Sequence, residues 1–269
     1  MTPESTVLLE TAQDELRFSA RTGTLVSLVS RSAPDQEFIL AGEETPALVL
    51  QYLDEERRFR TLDSTQAAAI HVERNESADG VAVILRFRGL AGMDLDAEVR
   101  VAARPGDRLS RWTCRIRNGC GLRIVDVQVP LVVCPYRLAG TPGTEAVLWP
   151  FNAGLLYQAP KPQDLAPDSP EVWQMIPENG DQTHYPGLVF AQFLAYYNDR
   201  AGLFLGCEDT AGRIKRLRPV HREPGVRLGV AHVGDWPRRG ERLLEYEVVL
   251  GSFVGDWYAA AGLYRDWSL

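Results

Sequence analysis

Apolar and polar positions alternate with a period of two along most of the chain. From Met93 to Ala103, Leu95, Ala97, Val99 and Val101 fall on one side and Asp94, Asp96, Glu98 and Arg100 on the other, the pattern of a half-buried antiparallel strand. The same alternation runs through Glu15 to Ala20, Val81 to Arg88, Arg111 to Asn118, Val226 to Val233 and Leu244 to Leu250. Between such runs lie Thr22-Gly23, Asp79-Gly80, Pro105-Gly106, Asn118-Gly119 and Ala211-Gly212, where glycine can take the positive φ of a tight reversal. Short strands at close spacing, without helical segments between them, predict an all-β sandwich or barrel. No internal repeat supports a bladed propeller.

Two stretches depart from this pattern. From Cys134 to Pro186 the chain carries nine of its 17 prolines and few alternating runs, but also Tyr136, Trp149, Phe151, Tyr157, Trp173 and Tyr185. So many aromatic rings need a surface to cover, which predicts an ordered excursion across one face of the sandwich. From Gly255 to Leu269, Asp256 is placed to cap a helix whose apolar face takes Phe253, Trp257, Ala260, Tyr264 and Trp267 at steps of three and four. That face needs a partner, either the preceding strands or a further domain. The expected division is a β-domain over 1–254 and a helix over 255–269.

Composition narrows the classes. At 269 residues one large domain or two small ones are allowed, and 45% hydrophobic with 24% charged residues is ordinary for a globular protein. No apolar run approaches a membrane span, and the first residues lack a basic leader, so cytoplasmic residence and no membrane partner are expected. The formal charge of −7 without a basic cluster argues against a nucleic-acid partner. Arg108, Arg111, Arg115 and Arg117 read as a solvated strand face. Cys114, Cys120, Cys134 and Cys207 lack zinc-site spacing and read as buried free thiols.

The run His184-Tyr185-Pro186-Gly187, then Ala191 to Tyr197 (AQFLAYY), then Ala201 to Asp209 (AGLFLGCED), resembles the amino-terminal β-domain of a group of bacterial glycoside hydrolases. The opening, with Glu15 to Phe18, Thr22 to Leu25 and Glu37-Phe38, is similar to the start of that domain. Trp257-Tyr258 and Tyr264 to Trp267 resemble the helix that joins it to a (β/α)₈ catalytic barrel. The resemblance implies a two-sheet antiparallel supersandwich of the galactose mutarotase-like type, with a short C-terminal helix and a concave sheet accessible to carbohydrate. It also implies that the paired catalytic carboxylates lie in a following barrel, which this sequence does not include.

Sugar recognition combines aromatic faces with planar polar groups. Trp149, Asn152, Tyr157, Trp173, Glu178, Asn179, Asp181 and Tyr185 supply both, although Trp149 and Trp173 could equally anchor the long excursion. His184 and His232 are the imidazoles to consider for acid–base work, with Glu208 or Glu245 as the carboxylate. His232 alternates with Val226, Leu228 and Val230 on an inward face, which also suits a hydrogen-bonded structural histidine; His184 stands before a turn and His71 on the polar side of its strand. Glu208-Asp209 ends an apolar strand and could bind sugar hydroxyls or a cation, or equally solvate that end. No phosphate loop, nucleophile elbow or mutarotase histidine motif is present, and neither a metal nor a cofactor is expected.

Three functions follow as expectations. The first is a non-catalytic platform for a catalytic barrel, associated with carbohydrate and docking through Trp257, Tyr264 and Trp267. The second is a free-standing aldose mutarotase or epimerase. The third is a carbohydrate-binding or assembly module without chemistry.

Overall fold

Alternating sequence becomes strand where its apolar side can meet another sheet across a shared core. The computed structural model describes residues 5–40, 45–169, 183–234 and 236–269. Among these, β1 (Thr6–Glu10), β2 (Asp14–Ser19), β3 (Leu25–Ser30) and β4 (Ala33–Glu37) form a four-stranded antiparallel sheet in chain order. The chain enters a second sheet with β5 (Val49–Leu53) and β6 (Phe59–Asp63), then a third with β7 (Ala67–Ser77), β8 (Gly80–Leu90), β9 (Leu95–Ala103) and β10 (Ser110–Asn118). It returns to the second with β11 (Arg123–Pro135), and β12 (Ala146–Trp149) and β13 (Leu155–Gln158) join the edge of the third. The two-residue β14 (Ala166–Pro167) edges the second sheet, β15 (Phe193–Tyr197) and β16 (Gly202–Glu208) extend the third, and β17 (Lys215–Arg222) and β18 (Gly225–Val233) complete the second. Finally β19 (Gly240–Leu243) and β20 (Glu247–Phe253) pair with β10, and the helix α1 (Trp257–Ser268) follows.

The second sheet runs β14-β17-β18-β11-β5-β6, and the third runs β13-β12-β15-β16-β20-β10-β9-β8-β7 with β19 on β10. All these pairings are antiparallel except β14 on β17. One core takes side chains from all three sheets, among them Leu16 and Phe18, Leu50, Val127 and Leu228, and Val99, Leu205 and Leu250. Phe18 meets Trp112 across it at 5.7 Å between ring centroids. At the seam, the buried Asp14 accepts the Ser252 backbone N–H at 2.8 Å and also bonds the Ser252 hydroxyl. Burial outweighs these hydrogen bonds and pushes the Asp14 carboxyl up to about 6.

Several expected strands agree closely with the observed ones, and two details differ. Leu244 to Leu250 was one expected strand, whereas the chain breaks between β19 and β20 as Tyr246 turns its hydroxyl to His232. At Asn118-Gly119 the positive φ falls on Gly121, at +85°, because the Asn118 carboxamide oxygen accepts the Gly121 and Leu122 N–H groups and shapes the turn itself. Within 134–186, β12 and β13 are part of the ten-stranded sheet; 170–182, with Trp173, Glu178, Asn179 and Asp181, lie outside the described residues.

The outer face of the ten-stranded sheet has two characters. Over β8 to β10 the expected solvated arginine face is a lattice of ion pairs: Arg117 binds Asp96 at 2.9 Å, Arg115 binds Glu241 at 2.6 Å, and the half-buried Arg111 holds Asp107, Glu208 and Glu247 at 2.6–2.9 Å. Over β15, β16 and β20, Phe193, Ala195, Phe204, Val249 and Phe253 form an apolar floor. The helix α1 lies on that floor, burying Ala260 and stacking Tyr264 on Phe193 at 5.3 Å. Asp256 caps it by accepting the Tyr258 N–H at 2.9 Å. No helix among the described residues is long and apolar enough to cross a membrane.

Candidate functional site

The six-stranded sheet is apolar on one face and polar on the other. Leu50, Val127, Leu217, Leu228 and Val230 point into the core, so strand alternation places Gln51, Asp126, Gln128, Arg216, Arg218 and Arg227 together on the opposite face. These are not ordinary surface residues. Gln51, Asp126, Gln128, Arg216 and Arg227 are all buried. Arg227 donates from Nη1 to Asp168 Oδ2 at 2.5 Å and from Nη2 to Gln128 Oε1 at 2.9 Å, which turns the Gln128 amide nitrogen toward Asp126 at 3.4 Å. Asp168 also lies 3.6 Å from Arg222.

This chain of planar groups borders a cavity of about 290 Å³ lined by Gln51, Thr61, Gln128, Asp168, Arg222 and Arg227. Burial pushes Asp126 up to about 7, while Gln128 and the charge of Arg216 pull the other way. The arrangement can present fixed donors and acceptors to several hydroxyls of one ring. None of these residues stands out in the linear sequence. Their signal is the Asp126-Val127-Gln128-Val129 alternation, in which the polar positions look like a solvated face and are in fact buried.

The three sequence runs read as a family signature converge elsewhere, on Lys215. Its backbone exchanges hydrogen bonds with Tyr185 at 2.8 and 2.9 Å, and its Nζ donates to Gln192 Oε1, Asp209 Oδ2 and the Arg213 carbonyl, each at 2.7 Å. The rings of Tyr185 and Tyr246 flank the ammonium at 4.8 Å. Burial alone would raise the Asp209 carboxyl, but Lys215 and the Arg213 and Ala211 N–H groups outweigh it and hold it below the usual range. Next to this node, His232 donates from Nε2 to the Val129 carbonyl at 2.7 Å and accepts the Tyr246 hydroxyl on Nδ1 at 2.5 Å. Burial pushes its pKa down to about 4, so the ring is neutral at pH 7.

The other sequence candidates are dispersed. Glu208 binds Arg111 and borders a crevice with Tyr264 and Trp267 beneath α1; Glu245 is exposed and pairs with Arg213 and Arg242. His184 is half-buried. Trp149 is buried, stacks on Phe151 at 4.5 Å and lies 5.8 Å from the Arg218 guanidinium. Its Nε1 has no hydrogen-bond partner among the described residues. Tyr157 lies one strand over on β13, and Asn152 sits at the hairpin tip with φ +56°. Trp257 is 48% exposed, and Tyr264 and Trp267 are half-buried. All four cysteines are free thiols, with Cys120 alone reaching the surface. Among the described residues no group of three or more His, Cys, Asp or Glu is placed to hold a metal ion.

No protein-family model and no curated protein matches this sequence. Solved structures do. An α-N-acetylgalactosaminidase from Bifidobacterium bifidum, in complex with GalNAc, superposes with a TM-score of 0.67 at 17% identity over 97% of this chain and 38% of its own. A protein named as an aldose 1-epimerase, from Escherichia coli K12, matches with a TM-score of 0.50 at 6% identity over 93% of this chain and 99% of its own. The fold is the galactose mutarotase-like supersandwich. An α-galactosidase from Lactobacillus brevis shares the supersandwich with a TM-score of 0.53 at 8% identity, over 94% of this chain and 40% of its own. The supersandwich described here thus spans about two-fifths of the length of the two hydrolases it matches.

Proposed function

We propose that this chain is a non-catalytic, carbohydrate-associated β-supersandwich that serves as a platform for a catalytic (β/α)₈ barrel. The observation that carries this reading is the start of α1, where Trp257 and Tyr258 stand 48% and 64% exposed while the next turns are held on Phe193 and Phe204. Two neighbouring rings open to water on an anchored helix form a docking surface. The polar cavity of the six-stranded sheet supplies the carbohydrate association, through Gln51, Gln128 and Arg227. The test is a comparison of glycoside hydrolysis by this chain and by the whole product of its gene. Hydrolysis by the whole product alone supports the platform; hydrolysis by residues 1–269 alone contradicts it.

A second reading, a free-standing aldose epimerase, is favoured by the near-complete span of the Escherichia coli structure. Against it stands His232, buried with both ring nitrogens engaged. Polarimetry on fresh α-glucose or α-galactose decides the matter, since an epimerase accelerates equilibration and a platform leaves it unchanged.

A further inference from the structure

A second cavity, also of about 290 Å³, opens where the end of β18 meets the Leu244–Tyr246 link between β19 and β20. Trp236, Tyr246 and His232 line its floor. The polar atoms of that floor are already engaged: Trp236 Nε1 donates to the His232 carbonyl at 2.9 Å, and the Tyr246 hydroxyl donates to His232 Nδ1. What the floor offers a ligand is therefore ring carbon. The volume lies at the lower end of small-molecule sites, about 300 Å³, and suits one six-membered ring.

The mouth is charged. The Glu245 carboxylate is held between two guanidinium groups, by Arg213 Nη2 on one oxygen and by Arg242 Nη2 at 3.2 Å on the other. Glu245 is exposed, and exposed ion pairs of this kind contribute little, so its side chain can swing away at small cost. A carboxylate brought by a ligand restores the same two bonds.

We propose that this cavity binds a carboxylate carried on a six-membered ring, the ligand carboxylate replacing Glu245 between Arg213 and Arg242 while the ring rests on Trp236 and Tyr246. The site uses none of the residues of the polar sheet cavity and is independent of the platform reading. A sugar acid and an aromatic acid share this chemistry, and titration calorimetry with glucuronate and with 4-hydroxybenzoate separates them, glucose and phenol serving as uncharged counterparts. One of the two acids is expected to give saturable heat where its counterpart gives none. Glu245→Ala removes a competing carboxylate and tightens that binding about fivefold. Arg242→Gln weakens it at least about tenfold, and Arg242→Lys, which keeps the charge without the fork, weakens it as well. Thermal unfolding of each variant verifies the fold, so loss of binding in a folded Arg242 variant reports the site. Failure of both acids to bind the Glu245→Ala protein, equal binding of the uncharged rings, or undiminished affinity in the Arg242 variants would overturn the proposal.

Discussion

Lys215 Nζ lies 2.7 Å from Asp209 Oδ2, and both side chains are shut away from water. Burying two charges is tolerable only when each is fully hydrogen-bonded, and here Gln192, Arg213 and the turn amides complete the set. Lys215→Met removes the buried counter-charge of Asp209, leaving the Arg213 guanidinium at 3.0 Å, and is expected to destabilise the protein by about 3 kcal/mol. The double variant Lys215→Met/Asp209→Leu is expected to recover much of that loss. Urea unfolding of the two single variants and the double closes the cycle; strict additivity would show that the pair does not act as a unit.

Asp126 and Asp14 give stability a pH dependence of known sign. Their folded pKa values, about 7 and about 6, lie above the ordinary value of 3.8. Between those limits the folded state binds more protons than the unfolded one, so stability is highest at the acid end and falls as pH rises toward 7. His232 acts in the opposite sense: its pKa of about 4 lies below the ordinary 6.5, so its contribution is lost as pH falls through that interval. Asp126→Asn is expected to shrink the loss of stability between pH 5 and pH 8. Urea midpoints at the two pH values check this, and an unchanged difference would remove Asp126 from the account.

Helix α1 is held by its cap and, more strongly, by its packing on the sheet. Asp256→Ala removes the acceptor for the Tyr258 N–H and is expected to cost about 1 kcal/mol or less, because the helix is also held by packing. Tyr264→Ala removes the ring stacked on Phe193 and is expected to cost more. Hydrogen exchange over 257–268 reports both, and greater loosening by the cap variant would contradict this order.

The polar sheet cavity predicts saturable binding of neutral monosaccharides that falls when Gln128 is replaced. Gln128→Leu removes both the bond from Arg227 and the fixed amide. Calorimetry against a monosaccharide panel checks it. Binding unchanged in Gln128→Leu would move the sugar contact elsewhere, with Trp149 and Tyr157 the next residues to test.

The fold was legible because alternation is local: Leu95, Ala97, Val99 and Val101 in β9 reach the core as their spacing requires. The inward side of β18 and the Asp256 cap were legible for the same reason. The polar face was not, because Gln51, Asp126, Gln128 and Arg227 come from three strands and from positions that alternation assigns to water. Only the assembled sheet shows that they are buried together. Lys215 carries no signal of its own in the sequence, because its role depends on Asp209 and Gln192, which meet it through side chains folded in from separate turns.

The central claim, a platform that docks a larger partner through α1, is tested most directly at Trp257. With 5-fluorotryptophan incorporated and the Trp257 line assigned by substitution, ¹⁹F spectra of residues 1–269 and of the whole gene product can be compared. The account predicts a solvent-accessible Trp257 in the shorter protein and a shifted, solvent-shielded one in the longer. An unchanged, solvent-accessible line, or a reading frame that stops after codon 269, would contradict it.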